Sequence, residues 1–368
     1  MPFGSEGVKP GIALALSGGG FRATLFHIGS CWRLTELGIL PKLTRVSSVS
    51  GGSIFAGVLA AAWERLIASP DIAHYQELVV DPLRAFCKQQ IDSVAIGEGL
   101  LTPWKSVSDV IAAKYQELFP IGLNQLPDTP TFVFNATNLQ TGRDFRFSKA
   151  YMGDYLLGLI PTPSLPLAKA VAASSAFPPF LSPVILDSPG VIEAVDGAIY
   201  SGNPAYTARL FLTDGGVYDN LGLETVWNRC QTVLVSDAGA PFDAGATVET
   251  DWVKQTLRAL SIATDQSRGL RKRALIADFT NKARGGGYWG IATDIANYHL
   301  SDALPCSDAL VKPLATIRTR LNPFSNIEQE QLINWGYALC DAAVRAHAPE
   351  IIGTQKAPAW PCPAHPLS

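Results

Sequence analysis

The sequence predicts an α/β protein: a three-layer α/β/α domain on a mainly parallel central sheet. Three observations carry this. Gly11-Ile12-Ala13-Leu14-Ala15-Leu16 is a near-continuous apolar run, the pattern of a parallel strand buried on both faces. The run breaks at Ser17-Gly18-Gly19-Gly20, after which Phe21, Leu25, Ile28, Trp32 and Leu37 recur at roughly helical spacing. Gly38 suits a helix C-cap, and a second strand is expected from Leu43 to Val49. Together these make a βαβ unit.

The following elements extend the pattern. An Ala-rich helix is expected from Ile54 to about Ile67, directly after Ser50-Gly51-Gly52. The stretch from Ala68 to Pro130 reads as mostly helical, with loops at Pro70, Pro103, Pro120 and Pro127. Thr131-Phe132-Val133-Phe134-Asn135-Ala136 returns to a strand pattern, with Asp144-Phe145-Arg146-Phe147 as a candidate partner. Pro and Ser crowd positions 161–189, so this segment should be loop-rich and lie over a strand edge. Arg209 to Thr213 is a short strand ending at Asp214-Gly215-Gly216, Leu221 to Arg229 reads as helical, and Thr232 to Val235 as strand. The tail from Ala357 is rich in Pro and is expected to fray. There is no internal repeat and no linker, so residues 1–355 form one expected domain. Within it, residues 70–130 are a mainly helical insertion or lid, and 356–368 are a Pro-rich tail.

Bulk properties exclude several function classes. The 368 residues are 47% hydrophobic and 17% charged, which demands a large core and leaves little room for disorder. A net charge of -3 gives no electrostatic footprint for nucleic acid. The start, Met1-Pro2-Phe3-Gly4-Ser5-Glu6, has no basic flank or apolar signal core, and the run from Ile54 to Trp63 is too short to span a bilayer. Cys31, Cys87, Cys230, Cys306, Cys340 and Cys362 are scattered without metal-site spacing, so buried reduced thiols are expected. A cytoplasmic location fits both.

Two glycine-rich turns carry the chemistry. Gly18-Gly19-Gly20-Phe21-Arg22-Ala23 sits between a strand and a helix, where backbone N–H groups can crowd toward an anion. Such a loop serves either a pyrophosphate or the oxyanion of an acyl-transfer intermediate. Gly18-x-Gly20-x-x-Ala23 satisfies a relaxed dinucleotide fingerprint, so a nucleotide-binding βαβ protein is one alternative. That alternative wants an acidic residue at the end of the next strand, where this chain has Ser48-Val49-Ser50-Gly51-Gly52-Ser53; Glu36 has a suitable offset but lies within the helix. Ser48-x-Ser50-x-Gly52 is a variant of the nucleophile elbow Gly-x-Ser-x-Gly. Neighbouring strands lie about 4.8 Å apart, so both turns would share the carboxyl edge of the sheet. Ser50 then faces the amides of Gly18, Gly19 and Gly20. Ser47, Ser48 and Ser53 compete less well, because only Ser50 has small residues two before and two after.

Gly-Gly-Gly-x-Arg followed some thirty residues later by an elbow serine resembles the patatin-like phospholipases, a family related to the cytosolic phospholipases A2. The likeness extends to Ala172-Ala173-Ser174-Ser175-Ala176-Phe177-Pro178, similar to a family block bordering the active site, and to Asp214-Gly215-Gly216. It covers residues 11 to about 225 and departs at Ser48, where the family commonly has Gly. The resemblance implies a patatin-like fold and a Ser-Asp dyad hydrolysing acyl esters of phospholipids or lysophospholipids. It implies no metal, no nucleotide, and peripheral membrane contact at most. Ser50 would attack, with Asp214 as its base and Gly18, Gly19 and Gly20 as oxyanion donors. Arg22 would hold the loop or attract a lipid phosphate.

Asp214 suits the base because it ends an apolar strand at the edge expected for Ser50. Asp196-Gly197-Ala198 is the main competitor, with Asp237 and Asp219 behind it. Among the histidines, His27 reads as a core residue, and His74, His347 and His365 carry no motif. His299 follows both serine and aspartate, so an α/β-hydrolase triad of Ser50, Asp and His299 is a rival mechanism.

Overall fold

Lys9–Leu16 (β1) takes the middle of a sheet because Ala13 to Leu16 are fully buried. Its side chains alternate between two cores: Leu14 and Leu16 join the larger one, Ala13 and Ala15 the smaller. Described in this computed structural model are residues 7–93, 95, 97, 107–248 and 250–368. β1 pairs in parallel with Leu43–Val49 (β2) on one side and Cys230–Asp237 (β9) on the other. Thr131–Asn138 (β3) and Gly285–Gly290 (β10) extend that block, so β10-β9-β1-β2-β3 is wholly parallel. Beyond β3 the chain reverses through Arg143–Phe147 (β4), Tyr151–Asp154 (β5) and Gly158–Pro161 (β6), all antiparallel. The links between these strands are only a few residues long, too short for the crossover that parallel pairing requires. Val184–Asp187 (β7) and Arg209–Asp214 (β8) form a further antiparallel pair that reaches β3.

Helices cover both faces. Gly20–Glu36 (α1) and Gly51–Ala68 (α2) start directly after β1 and β2. On the same face lie Val107–Leu118 (α3), Leu167–Ser174 (α4) and Asn326–His347 (α6). α2 is long and apolar enough to cross a membrane, but most of it is buried in this core. The opposite face is thinner: Leu221, Leu223 and Val226 cover it together with Leu275 of Trp252–Thr280 (α5).

Four sequence expectations need correction or narrowing. Residues 161–189 are not all loop, because α4 forms within them and buries its Ala-rich face. Residues 221–229 form turns, and the helical turn sits earlier, at Gly216–Asp219. The Pro-rich tail does not fray: Asn334 Nδ2 donates to the carbonyls of Cys362 and His365, and Leu367 is fully buried. In the 70–130 stretch, Tyr75, Val79, Leu83, Tyr115 and Phe119 belong to the core; of residues 94–106 only 95 and 97 are described. All six cysteines are free thiols.

Candidate active site

Strand register brings Ser50 and Asp214 together. β2 runs beside β3 until Val49 stands opposite Asn135. There β8 takes over the same side of β3 from the opposite direction, with Asp214 opposite Ala136. Two strand ends therefore meet head-on along β3. Ser50 follows one and Asp214 ends the other.

Ser50 is held in a left-handed backbone conformation, φ 53° and ψ -121°. A non-glycine residue there stores local strain and turns its side chain out of the strand-to-helix bend. Ser50 N–H donates to Ser174 Oγ at 3.0 Å, and Ser174 Oγ donates to the Asn135 carbonyl at 2.6 Å. Although Ser50 is the N-cap of α2, its hydroxyl caps nothing. The competing serines are buried and engaged. Ser47 Oγ donates to the Gly222 carbonyl and accepts from Asn135, and Ser53 Oγ bridges Ser48 and Ser174. The inward hydroxyl of Ser48 shows how the turn accommodates a serine where the family commonly has glycine.

The glycine loop lies against this bend. A side-chain carbon at Gly51 would sit 2.0 Å from the Gly20 carbonyl oxygen, and one at Gly18 would sit 3.0 Å from Ser50 Cβ. Gly19 adopts φ 143°, open only to glycine. Gly18 N–H donates to the Asn220 carbonyl at 3.1 Å, which corrects its expected part in an oxyanion hole. Among the described residues the amides of Gly19 and Gly20 donate to no protein acceptor.

Of the two roles expected of Arg22, the contacts fit holding the loop and not attracting a phosphate. Arg22 is fully buried, and its guanidinium donates to the carbonyls of Ala238, Ala315 and Ile317. Burial lowers its pKa to about 10, with Arg268 adding to the effect. It clamps the glycine loop to β9 and to the carboxy-terminal chain and presents no open face to a phosphate.

Asp214 is 1% exposed. Its Oδ1 accepts from Gly216 N–H at 2.7 Å, while among the described residues Oδ2 is buried with no hydrogen-bond partner. Burial pushes this carboxyl up to about 7, against the opposing influence of the Gly216 amide and the Ser50 hydroxyl. The Ser50 hydroxyl thus stabilises the ionised carboxylate without closing a hydrogen bond to Oδ2. Such contacts commonly tighten only with substrate present.

The remaining candidates fall elsewhere. Asp196 sits on an exposed turn. Asp219 is held by the amides of Leu221 and Glu224. His27 is buried between Ser236 Oγ and the Ser17 carbonyl, and burial lowers its pKa to about 4. His299 is exposed, on the turn after β10; β10 lies three strands from β2, about 14 Å at sheet spacing. Glu36, the acid a nucleotide site would want, pairs with Arg33, Tyr337 and Lys356 at the far end of α1.

Two participants were missed in the sequence. Ser174 stood within a block singled out as a whole, but nothing marked it over Ser175. Asn220 follows the Asp-Gly-Gly motif closely, and its Oδ1 lies where side-chain carbons at Gly18 and Gly216 would be, at 2.3 and 2.6 Å.

A mainly parallel sheet flanked by helices, with a strained serine and a buried carboxylate at one strand edge, is an arrangement that α/β acyl hydrolases can use. The patatin-like phospholipase model matches residues 14–227, more than half of the chain, and the protein belongs to that family of lipid ester hydrolases. A search of curated protein sequences finds no match. Among solved structures, human GIVD cytosolic phospholipase A2 is similar at 15% identity and TM-score 0.48, over 90% of this chain and 58% of that one. The same human enzyme in complex with methyl gamma-linolenyl fluorophosphonate gives 15% identity and TM-score 0.49, over 90% and 57%. VipD from Legionella pneumophila gives 15% and 0.37, over 92% and 67%. The chain thus spans less than two thirds of the human enzyme's length.

Proposed function

We propose that this protein hydrolyses acyl esters of lipids through a Ser50–Asp214 dyad. The observation that carries the proposal is the unpartnered Oδ2 of Asp214, buried beside a serine hydroxyl that caps nothing. Ordinary carboxylates, near pKa 4, are too weakly basic to take a proton from serine; one raised to about 7 and held ready is a competent base near neutral pH.

Ser50 Oγ attacks the ester carbonyl carbon and its proton passes to Asp214. The N–H groups of Gly19 and Gly20 hold the oxyanion of the tetrahedral intermediate. Collapse breaks the carbon–oxygen bond of the leaving alcohol, which takes the proton from Asp214 and departs. Water then attacks the acyl-Ser50 ester while Asp214 accepts its proton, and the fatty acid leaves as Ser50 regains a proton. A phospholipid or lysophospholipid substrate follows from the family.

The test is a fluorophosphonate probe, with mass spectrometry of the labelled peptide. Labelling at Ser50, lost in Ser50→Ala, is expected. A protein that hydrolyses esters but is labelled elsewhere overturns the assignment.

A further inference from the structure

α5 precedes β10, which is parallel to β9, so α5 runs antiparallel to the strands and begins at their carboxyl edge. Arg268 of α5 donates to Asp237, the last residue of β9. The seventeen residues from Trp252 to Arg268 therefore carry the helix about 24 Å past the strand end. In the core the helix buries Leu275, but toward its start Trp252 is 80% exposed and Leu257 36%. Phe242 and Val248 in the preceding loop are also exposed. This loop starts from the Ala238 carbonyl that receives Arg22, next to Gly19.

A second apolar projection borders the same edge. Asp214 N–H donates to the Ala176 carbonyl, and the next residues expose Phe177 and, at 69%, Phe180. Single exposed apolar residues are ordinary, but large ones flanking a site mark an interaction surface. One group reaches the edge through Asp214 and the other through the glycine loop, so Ser50 opens between them.

We infer that these two projections are the lipid-docking surface, and that the occupant is the headgroup–acyl boundary of a zwitterionic membrane. The inference rests on the lipid-hydrolase reading. It also has a charge argument. Residues 240–264 carry Lys254 and Arg258 against Asp243, Glu249 and Asp251, a net of -1, and residues 175–183 carry no charge. Nothing in that balance draws the surface to anionic lipid, and apolar insertion is left to do the binding.

The test is flotation of the full chain with phosphatidylcholine vesicles, comparing Trp252→Asp/Leu257→Asp and Phe180→Asp with the parent protein. Each variant is expected to bind vesicles at least about tenfold more weakly, since burying one large apolar side chain is worth that much. Hydrolysis of a soluble short-chain ester should stay within about twofold, because no altered side chain touches the reacting atoms. Raising the salt should leave parent binding unchanged, as screening acts on charge and not on apolar contact. Unchanged binding in both variants overturns the docking surface alone and leaves the hydrolase reading intact. A parent that binds vesicles through these residues but hydrolyses no ester sinks the hydrolase reading instead. Binding that requires anionic lipid and disappears in salt overturns the inference, as does a salt-insensitive dimer in sedimentation velocity that Trp252→Asp/Leu257→Asp dissociates.

Discussion

Asp214 and Asp237 both end a strand at the carboxyl edge of the sheet, and both are essentially buried, at 1% and 0%. Their electrostatics are opposite. Asp237 receives Arg268 at 2.8 Å, Tyr288 Oη at 2.6 Å and the Gly239 amide at 2.9 Å. Burial alone would raise its pKa, but these partners outweigh burial and lower it. Asp214 has one amide and the Ser50 hydroxyl, so burial wins and the pKa rises to about 7. Equal burial thus yields a fixed anion in one place and, on the proposed mechanism, a base in the other. The charge of Arg268, followed by the Tyr288 and Gly239 hydrogen bonds, decides which.

The sharpest way to break this comparison is to neutralise each carboxylate in turn. Asp214→Asn and Ser50→Ala should each lower kcat on an ester substrate by about a thousandfold or more, as removal of a nucleophile or its base generally does. Asp237→Asn should keep most of the activity at low temperature but lose stability by about 3 kcal/mol, because Arg268 is left with no carboxylate. Chemical denaturation and steady-state kinetics on the same three variants check both halves. Comparable kcat losses for the two aspartates would mean that the Arg268 ion pair is not what separates them.

The stability effects should also carry opposite signs. Asp214 has a raised folded pKa, so between about pH 4 and 7 the folded state holds a proton that the unfolded state has lost, and stability falls as pH rises through that window. The cost is up to about 4 kcal/mol at 1.36 kcal/mol per pH unit. Asp214→Asn should recover part of this at pH 8 and melt higher than the parent protein, while doing nothing of the kind at pH 4. Asp237, with its lowered pKa, contributes stability present above its unfolded pKa and lost on acidification. A melting curve of Asp214→Asn that lies below the parent at pH 8 would contradict burial as the source of the shift.

Smaller effects refine the same picture. Gly19→Ala should lower kcat by about a hundredfold through loss of one oxyanion donor, with the strain at φ 143° as the cause of the displacement. In the parent protein, kcat/KM should fall about tenfold per pH unit below pH 7 as Asp214 takes up its proton. A flat profile down to pH 5 would remove Asp214 as the base.

Much of this was legible in the sequence. Apolar runs marked β1, β8 and β9, and Gly-Gly-Gly, the Ser50 turn and Asp214-Gly215-Gly216 each stood at a strand end, whereas β2, with Thr44, Arg45, Ser47 and Ser48, carries no such run. What pattern could not supply was which hydrogen bonds those groups make. Arg22 looked like a free cation near a loop, but carbonyls from chain segments more than two hundred residues away enclose it. Gly18 looked equivalent to its neighbours until the Asn220 carbonyl, also distant in sequence, took its amide. The docked tail is the same lesson, since Pro content marks a chain that resists regular structure and says nothing of Asn334 waiting for its carbonyls.

The smallest expected effect separates two mechanisms. If a histidine relayed the proton, Asp214 would only orient an imidazole, and it would need a ring nitrogen beside its carboxylate. Among the described residues its Oδ2 has no such partner. His299, the histidine whose place in the chain fits a triad, is exposed beyond β10, three strands from β2. His299→Ala should therefore leave kcat/KM within about twofold of the parent, against the factor of a thousand or more that a triad member would cost. Kinetics of that variant beside Asp214→Asn decide the matter: a large loss in both would return the serine to a three-residue relay, and a large loss in Asp214→Asn alone leaves the carboxylate as the direct acceptor.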